Sequence, residues 1–258
     1  MTAPVPPVAY RPVTWRCEPP LAFVEMQDSA GGNGLSPELV DGLIAALARA
    51  AETPEVRAVV LGGGSDFFCA GASADRMLGP REGRVTRVWE LLCAVLDCPL
   101  PVISSAQGHA FGGGLLLALV CDAAVLSRRS RYAVNFLLYG FTPIGGATHL
   151  IPAVMGPKLG AEMLYTGRTY RGQELAERGA GVRIVEHDAV PREARRAAAQ
   201  MSAAPRVALE LLKAQLSAPL RAGMAAALQA ESPAHEATVT GAEAEWRIRQ
   251  IQRVPRRS

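Results

Sequence analysis

Lysine is almost missing from this chain of 258 residues: Lys158 and Lys213 are the only two, so arginine carries nearly all of the positive charge. The formal net charge is only +3, and the basic residues are dispersed apart from a cluster of Arg76, Arg81, Arg84 and Arg87. A nucleic-acid partner is therefore not expected. Cysteine is sparse and odd in number, with Cys17, Cys69, Cys93, Cys98 and Cys121 showing no CxxC spacing. That pattern excludes a disulfide framework and a zinc-binding cysteine set, and it reads as buried thiols in a reducing compartment. No apolar run reaches the length needed to span a bilayer, because Asp122 interrupts the longest one. Residues 1–12 are proline-rich and lack the positive start and apolar stretch of a signal peptide. They are expected to be disordered, and the protein to be soluble and cytoplasmic.

What the chain does have is two turns made of small residues. Phe68-Cys69-Ala70-Gly71-Ala72-Ser73 follows the apolar run Ala58-Val59-Val60-Leu61. Gly108-His109-Ala110-Phe111-Gly112-Gly113-Gly114 follows Val102-Ile103-Ser104-Ser105-Ala106 and leads into Leu115 to Val120. Both read as strand ends where the chain turns sharply and leaves backbone N–H groups unpaired. If two such groups converge, with the second at a helix N-terminus, they form a hole suited to a developing oxyanion.

The rest of the chain alternates strands and helices. Two short strands are expected over Val13 to Met26, with a turn near Pro19-Pro20. Ser36 and Pro37 mark a helix start, continuing to about Ala51. Strands at Val56–Leu61, Val102–Ala106, Ala123–Ser127 and Val182–Val185 alternate with helices at Val88–Leu96 and from Gly113, which predicts a parallel α/β sheet. That pattern fits a doubly wound fold as well as a spiral. Beyond residue 190 the chain reads as helices at Pro191–Ala203, Arg206–Leu216, Leu220–Ala230 and Ala242–Gln252. Val207, Leu209, Leu211, Leu212 and Leu216 recur at helical spacing and need a partner surface.

The two turns resemble those of the crotonase (enoyl-CoA hydratase/isomerase) superfamily, and the resemblance runs from about Val13 to Ile251. It implies an α/β fold with a ββα spiral core over residues 13–189, followed by a C-terminal helical region at 190–258 used for trimer assembly. A homotrimer or a dimer of trimers is expected. By the same resemblance, Ala72 and Gly113 are the catalytic amide donors that bind an acyl thioester carbonyl.

Hydratases of that superfamily place glutamates where this chain has Leu116 and Phe136. Adding water across a double bond needs a base to activate the water and an acid to protonate carbon, and Leu and Phe can do neither. A substrate that brings its own carboxylate would instead be helped by their absence. A fixed glutamate about 4 Å away would oppose that carboxylate by roughly 4 kcal/mol at an effective dielectric of 20. Decarboxylation needs no water-activating base. Its electrons can flow into a thioester oxygen held by paired amides.

Within the superfamily, the strings Met26-Gln27-Asp28, Leu96-Asp97-Cys98, Ala106-Gln107-Gly108-His109, Asn135-Phe136, Tyr139-Gly140-Phe141-Thr142-Pro143, Tyr170-Arg171-Gly172 and Glu177-Arg178-Gly179 are similar to decarboxylases of polyketide β-branching cassettes. That similarity implies conversion of 3-methylglutaconyl to 3-methylcrotonyl on an acyl carrier protein. No cofactor is implied beyond the phosphopantetheine borne by the substrate. His235 matches the catalytic histidine of such enzymes and suits a proton donor at neutral pH. His109 reads as a loop-fixing residue, whereas His149 and His187 carry no signal. Asn135 and Tyr139 join Leu116 and Phe136 as candidate substrate contacts. The family lysine that meets the substrate carboxylate is absent, and Arg81 is the candidate replacement, since arginine grips carboxylates bidentately and keeps its charge. Cys69 reads as packing rather than nucleophile. Two further readings stay open: an isomerase or decarboxylase acting on an acyl-CoA, and a catalytically silent scaffold subunit of the same fold.

Overall fold

The computed structural model describes residues 8–10, 12–78 and 84–253. The chain opens with β1 (Val8–Tyr10), β2 (Val13–Glu18) and β3 (Leu21–Met26), an antiparallel meander. β1 lies inside the stretch expected to be disordered; it is ordered because its backbone pairs with β2 along the sheet edge. Next comes α1 (Pro37–Glu52), started by Ser36, whose hydroxyl accepts the Leu39 N–H at 3.0 Å. Its buried residues Leu39, Val40, Leu43, Ala46, Leu47 and Ala50 recur at the helical period and pack on the sheet.

From there the chain winds as a spiral. β4 (Ala58–Gly62) is followed by β5 (Phe67–Cys69), then α2 (Ala74–Leu78) and α3 (Arg84–Asp97). The next turn supplies β6 (Val102–Ala106), β7 (His109–Phe111) and α4 (Gly113–Leu119), and the third supplies β8 (Ala123–Ser127) and β9 (Arg131–Ala133). β4, β6 and β8 sit in a seven-stranded sheet, while β5, β7 and β9 sit in a four-stranded one, so each turn contributes one strand to each sheet. α5 (Ala147–Met155), α6 (Pro157–Thr166), β10 (Tyr170–Arg171), α7 (Gly172–Glu177) and β11 (Arg183–Val185) complete the core. β11 runs parallel to β8 at the far edge of the large sheet, and β10 pairs antiparallel with β9 in the small one. This order distinguishes the spiral from a doubly wound sheet. Sequence periodicity could not make that distinction, because strands of three residues are too short to show a period.

β4 is buried throughout, and its residues alternate between two cores. Val59 and Leu61 face the large cluster beneath α1, α3 and α4. Ala58 and Val60 face a smaller one closed by α8 (Val190–Met201) through Val190, Ala194 and Ala198. α9 (Arg206–Val239) is a single helix of 34 residues, where two helices broken near Pro219 were expected. A proline inside a helix removes one donor and crowds the carbonyl four residues back. Contacts along the buried face of α9 outweigh that cost: Lys213 reaches Asp122 Oδ2 at 2.6 Å and the Val95 carbonyl at 3.1 Å, and Glu231 caps α5. α10 (Ala242–Arg253) ends the described chain and packs on α2 and on the segment around Tyr139. Among the described residues, no helix is long and apolar enough to cross a membrane.

Candidate active site

The two small-residue turns lie against each other because glycine permits it. At Gly71, with φ +77°, a Cβ would stand 2.5 Å from the Phe111 carbonyl oxygen and 3.5 Å from the Gly113 nitrogen. At Gly114, a Cβ would run into the backbone of Cys69. A side chain at either position would force the turns apart.

The direction of each candidate amide is set by the carbonyl of its own peptide unit, since C=O and N–H point opposite ways across a trans bond. The Gly71 carbonyl accepts the Leu35 N–H at 3.0 Å, so the Ala72 N–H is turned away from Leu35. The Gly112 carbonyl accepts from Leu115 and Leu116 N–H, both at 3.1 Å, so the Gly113 N–H points out from the start of α4. As the first residue of that helix, Gly113 has no intrahelical acceptor for its hydrogen. Gly112, at φ +51°, donates to the Ala133 carbonyl at 2.8 Å and faces Asn135 Oδ1. Asn135 therefore stands beside the second turn.

A second group of expected residues gathers around Phe141. The Phe136 and His235 rings meet it edge-on, at 6.2 and 5.3 Å between centroids, and Tyr139 stacks on it at 6.0 Å. His235 Nδ1 lies 2.8 Å from the Thr142 carbonyl oxygen, and the Thr142 N–H donates to Thr238 Oγ1 at 3.1 Å. Two residues of α9, one turn apart, thus clasp a segment about ninety positions earlier. A carbonyl only accepts, so Nδ1 is the nitrogen that carries the hydrogen in this contact.

Leu116 is buried, one turn into α4, and its Cδ1 faces Gly145. Glu231, one turn before His235, is a buried carboxylate committed to the head of α5. It accepts from Gly146 N–H at 2.8 Å and from the Thr148 N–H and hydroxyl at 2.7 Å each. Arg81 lies outside the described residues.

The other sequence candidates are also placed. His109 Nδ1 accepts the Arg131 N–H at 3.1 Å, a loop-fixing contact. His187 had no signal, yet it is buried between Ser127 Oγ at 3.0 Å and Arg129 at 2.7 Å. Burial, with Arg129 adding to it, holds its ring below the usual histidine range. Burial pushes the Cys69 thiol up to about 12, which leaves it without nucleophilic character. All five cysteines are free thiols. Among the described residues, no group of three His, Cys, Asp or Glu side chains could hold a metal ion. Phe141, Thr142, Leu35 and Arg76 are the site neighbours that sequence reasoning did not single out.

Known proteins agree with this architecture. The Enoyl-CoA hydratase/isomerase family pattern matches residues 18–251. The bacillaene synthase decarboxylase PksI of Bacillus subtilis (strain 168) is 36% identical over 228 residues, covering 88% of this chain and 91% of that protein. The ECH2 decarboxylase domain of CurF from Lyngbya majuscula superposes with a TM-score of 0.85 at 34% identity, covering 93% of this chain and 99% of the domain. A structure from a dehydratase/decarboxylase enzyme couple involved in polyketide β-branching superposes with a TM-score of 0.88 at 34% identity, covering 94% and 97%. With its spiral of paired strands and its two abutting glycine turns, the chain belongs to the enoyl-CoA hydratase/isomerase, or crotonase, superfamily and resembles the β-branching decarboxylases within it.

Proposed function

We propose that the protein is a decarboxylase of polyketide β-branching that converts a 3-methylglutaconyl group on an acyl carrier protein to 3-methylcrotonyl. The observation that carries this reading is the pairing of two amide-bearing turns with Leu116 and Phe136 where hydration would need carboxylates. The carbon–carbon bond to the substrate carboxylate breaks and carbon dioxide leaves. The electron pair enters the conjugated system and rests as negative charge on the thioester oxygen. The Ala72 and Gly113 N–H groups hold that charge, which is larger in the transition state than in the ground state. His235, as the imidazolium, gives the proton from Nε2 to carbon, and protonation at the γ position yields the 3-methylcrotonyl product. Leu116 and Phe136 form apolar walls that favour loss of a charged carboxylate as a neutral gas. Asn135 and Tyr139 complete the acyl contacts, and Arg81 meets the carboxylate.

The exposed apolar stripe of α9, made of Val207, Leu211, Leu212 and Leu216, supports self-association of the chain. A trimer is the assembly proposed, and sedimentation tests it.

The deciding assay offers 3-methylglutaconyl and 3-hydroxyacyl thioesters on both carrier protein and CoA, and follows each by mass. Loss of carbon dioxide from the carrier-borne 3-methylglutaconyl group is the expected result. Turnover on CoA alone would move the substrate assignment to acyl-CoA. No turnover on any thioester would leave the scaffold reading in place of an enzyme.

A further inference from the structure

Arg76 lies one turn beyond the first amide, in the short helix α2. Ser73 starts that helix by accepting the Met77 N–H at its carbonyl, 2.9 Å, and the Arg76 N–H at its hydroxyl, 3.3 Å. The side chain of Arg76 then turns back, and Nη1 donates to the Leu35 carbonyl at 2.6 Å. Leu35 is the residue whose own N–H fixes the Gly71 carbonyl, and its Cδ1 comes within 2.8 Å of where a Cβ on Gly113 would be. One residue therefore touches both turns, and one guanidinium holds that residue. A hydrogen bond from a charged donor is about twice as strong as a neutral one, so this link is the strongest in the chain from α2 to the Gly71–Ala72 peptide.

We propose that Arg76 is a positioning residue that, through Leu35, keeps the Ala72 N–H aimed at the developing oxyanion and keeps the Gly113 turn pressed against it. The inference rests on the decarboxylase reading for its catalytic consequence. Its structural part, the relay from Arg76 to Leu35 to Gly71, stands by itself. A donor held in its final direction needs no reorganisation as charge develops, which is where preorganised amides gain their advantage. Loosening the relay leaves substrate binding largely intact, since the ground-state carbonyl depends less on that aim than the transition state does.

The test uses the full-length protein with Arg76→Met, which keeps side-chain bulk, and Arg76→Lys, which keeps the charge. Backbone hydrogen exchange of the ligand-free protein should show loss of protection at the Leu35 amide in the Met variant and partial recovery in the Lys variant. In the thioester assay, the Met variant should lose about tenfold in kcat with KM changed less than about threefold. Unchanged Leu35 protection would overturn the relay. A raised KM with kcat unchanged would overturn the positioning role and make Arg76 a substrate grip. If the wild-type protein turns over no thioester, the decarboxylase reading fails, while the exchange result still decides whether the relay exists. Should the Met variant fail to fold, the Lys variant carries both readouts.

Discussion

The two sides of the candidate site are built by different means. The amide side is made of backbone, with glycines at 71, 112 and 114 letting strand ends and a helix start touch, and peptide carbonyls setting where each N–H points. The aromatic side is made of side chains, with His235 on α9 locked onto the Thr142 carbonyl and onto Phe141 across 93 and 94 positions of sequence. In the proposed mechanism, charge stabilisation depends on the backbone of the amide side, so the first side admits almost no substitution. In the same mechanism, proton delivery depends on the His235 ring, which the Thr142 carbonyl and the Phe141 edge help to hold. The second side should therefore lose chemistry in steps while the fold stays whole.

Gly71→Ala breaks this comparison hardest. The new methyl would sit 2.5 Å from the Phe111 oxygen at a φ of +77°, so both turns must shift and both donors move together. Removing a single oxyanion donor costs about 10²–10³ in kcat, and displacing two should cost at least as much. A single-turnover measurement of carbon dioxide loss checks it. Activity within tenfold of wild type would show that the turns do not form the hole. His235→Ala should cost less, about a hundredfold, the lower end for a positioned general acid. Its thermal midpoint should stay within a few degrees of wild type, because a part-buried hydrogen bond and a ring-edge contact, both among those lost, each contribute only about 1 kcal/mol. Unchanged turnover would remove His235 from the mechanism. A collapse of the midpoint would make it a structural clasp.

The same contrast explains what could be read from the residues alone. Ser36 and Pro37 announced α1, and apolar runs announced β4, β6, β8 and β11, because capping chemistry and buried strands are local signals. The two glycine turns were equally legible, since a glycine in a turn after a strand reports a backbone requirement at that very position. The small sheet was not legible, because its strands of two or three residues carry no period. Nor was the continuity of α9 through Pro219 and Pro233, which depends on partners such as Asp122 and Thr148 far along the chain. Resemblance picked out His235, Phe136 and Tyr139, but nothing local showed that they meet at Phe141. Of the arginines at 76, 81, 84 and 87, Arg81 was the candidate named from the sequence. The Leu35 contact that gives Arg76 its role spans 41 positions and exists only in the folded chain.

The smallest effect is expected away from both sides, and it serves as their control. Glu25, near the end of β3, lays its carboxyl over Gly62 of β4, where any side chain would collide with it. Burial pushes that carboxyl up to about 7, with Arg16 opposing the shift only in part. A carboxyl raised in the folded state contributes stability that is fully present below its unfolded value of about 4.3 and is lost as pH rises toward 7. His187, held below its usual range, acts in the opposite sense and loses its contribution as pH falls. Glu25→Gln replaces the ionisable group by a neutral one of the same shape. It should match the wild type near pH 4 and exceed it at pH 8.5 by on the order of 1–2 kcal/mol, measured by urea unfolding at both pH values. Because Glu25 touches neither the amide turns nor the Phe141 cluster, kcat should not change. An equal stability difference at both pH values would show that the carboxyl titrates as it does in water. A fall in kcat would show that the far side of the large sheet feeds into the site, and the division between a rigid amide side and an adjustable aromatic side would have to be redrawn to include it.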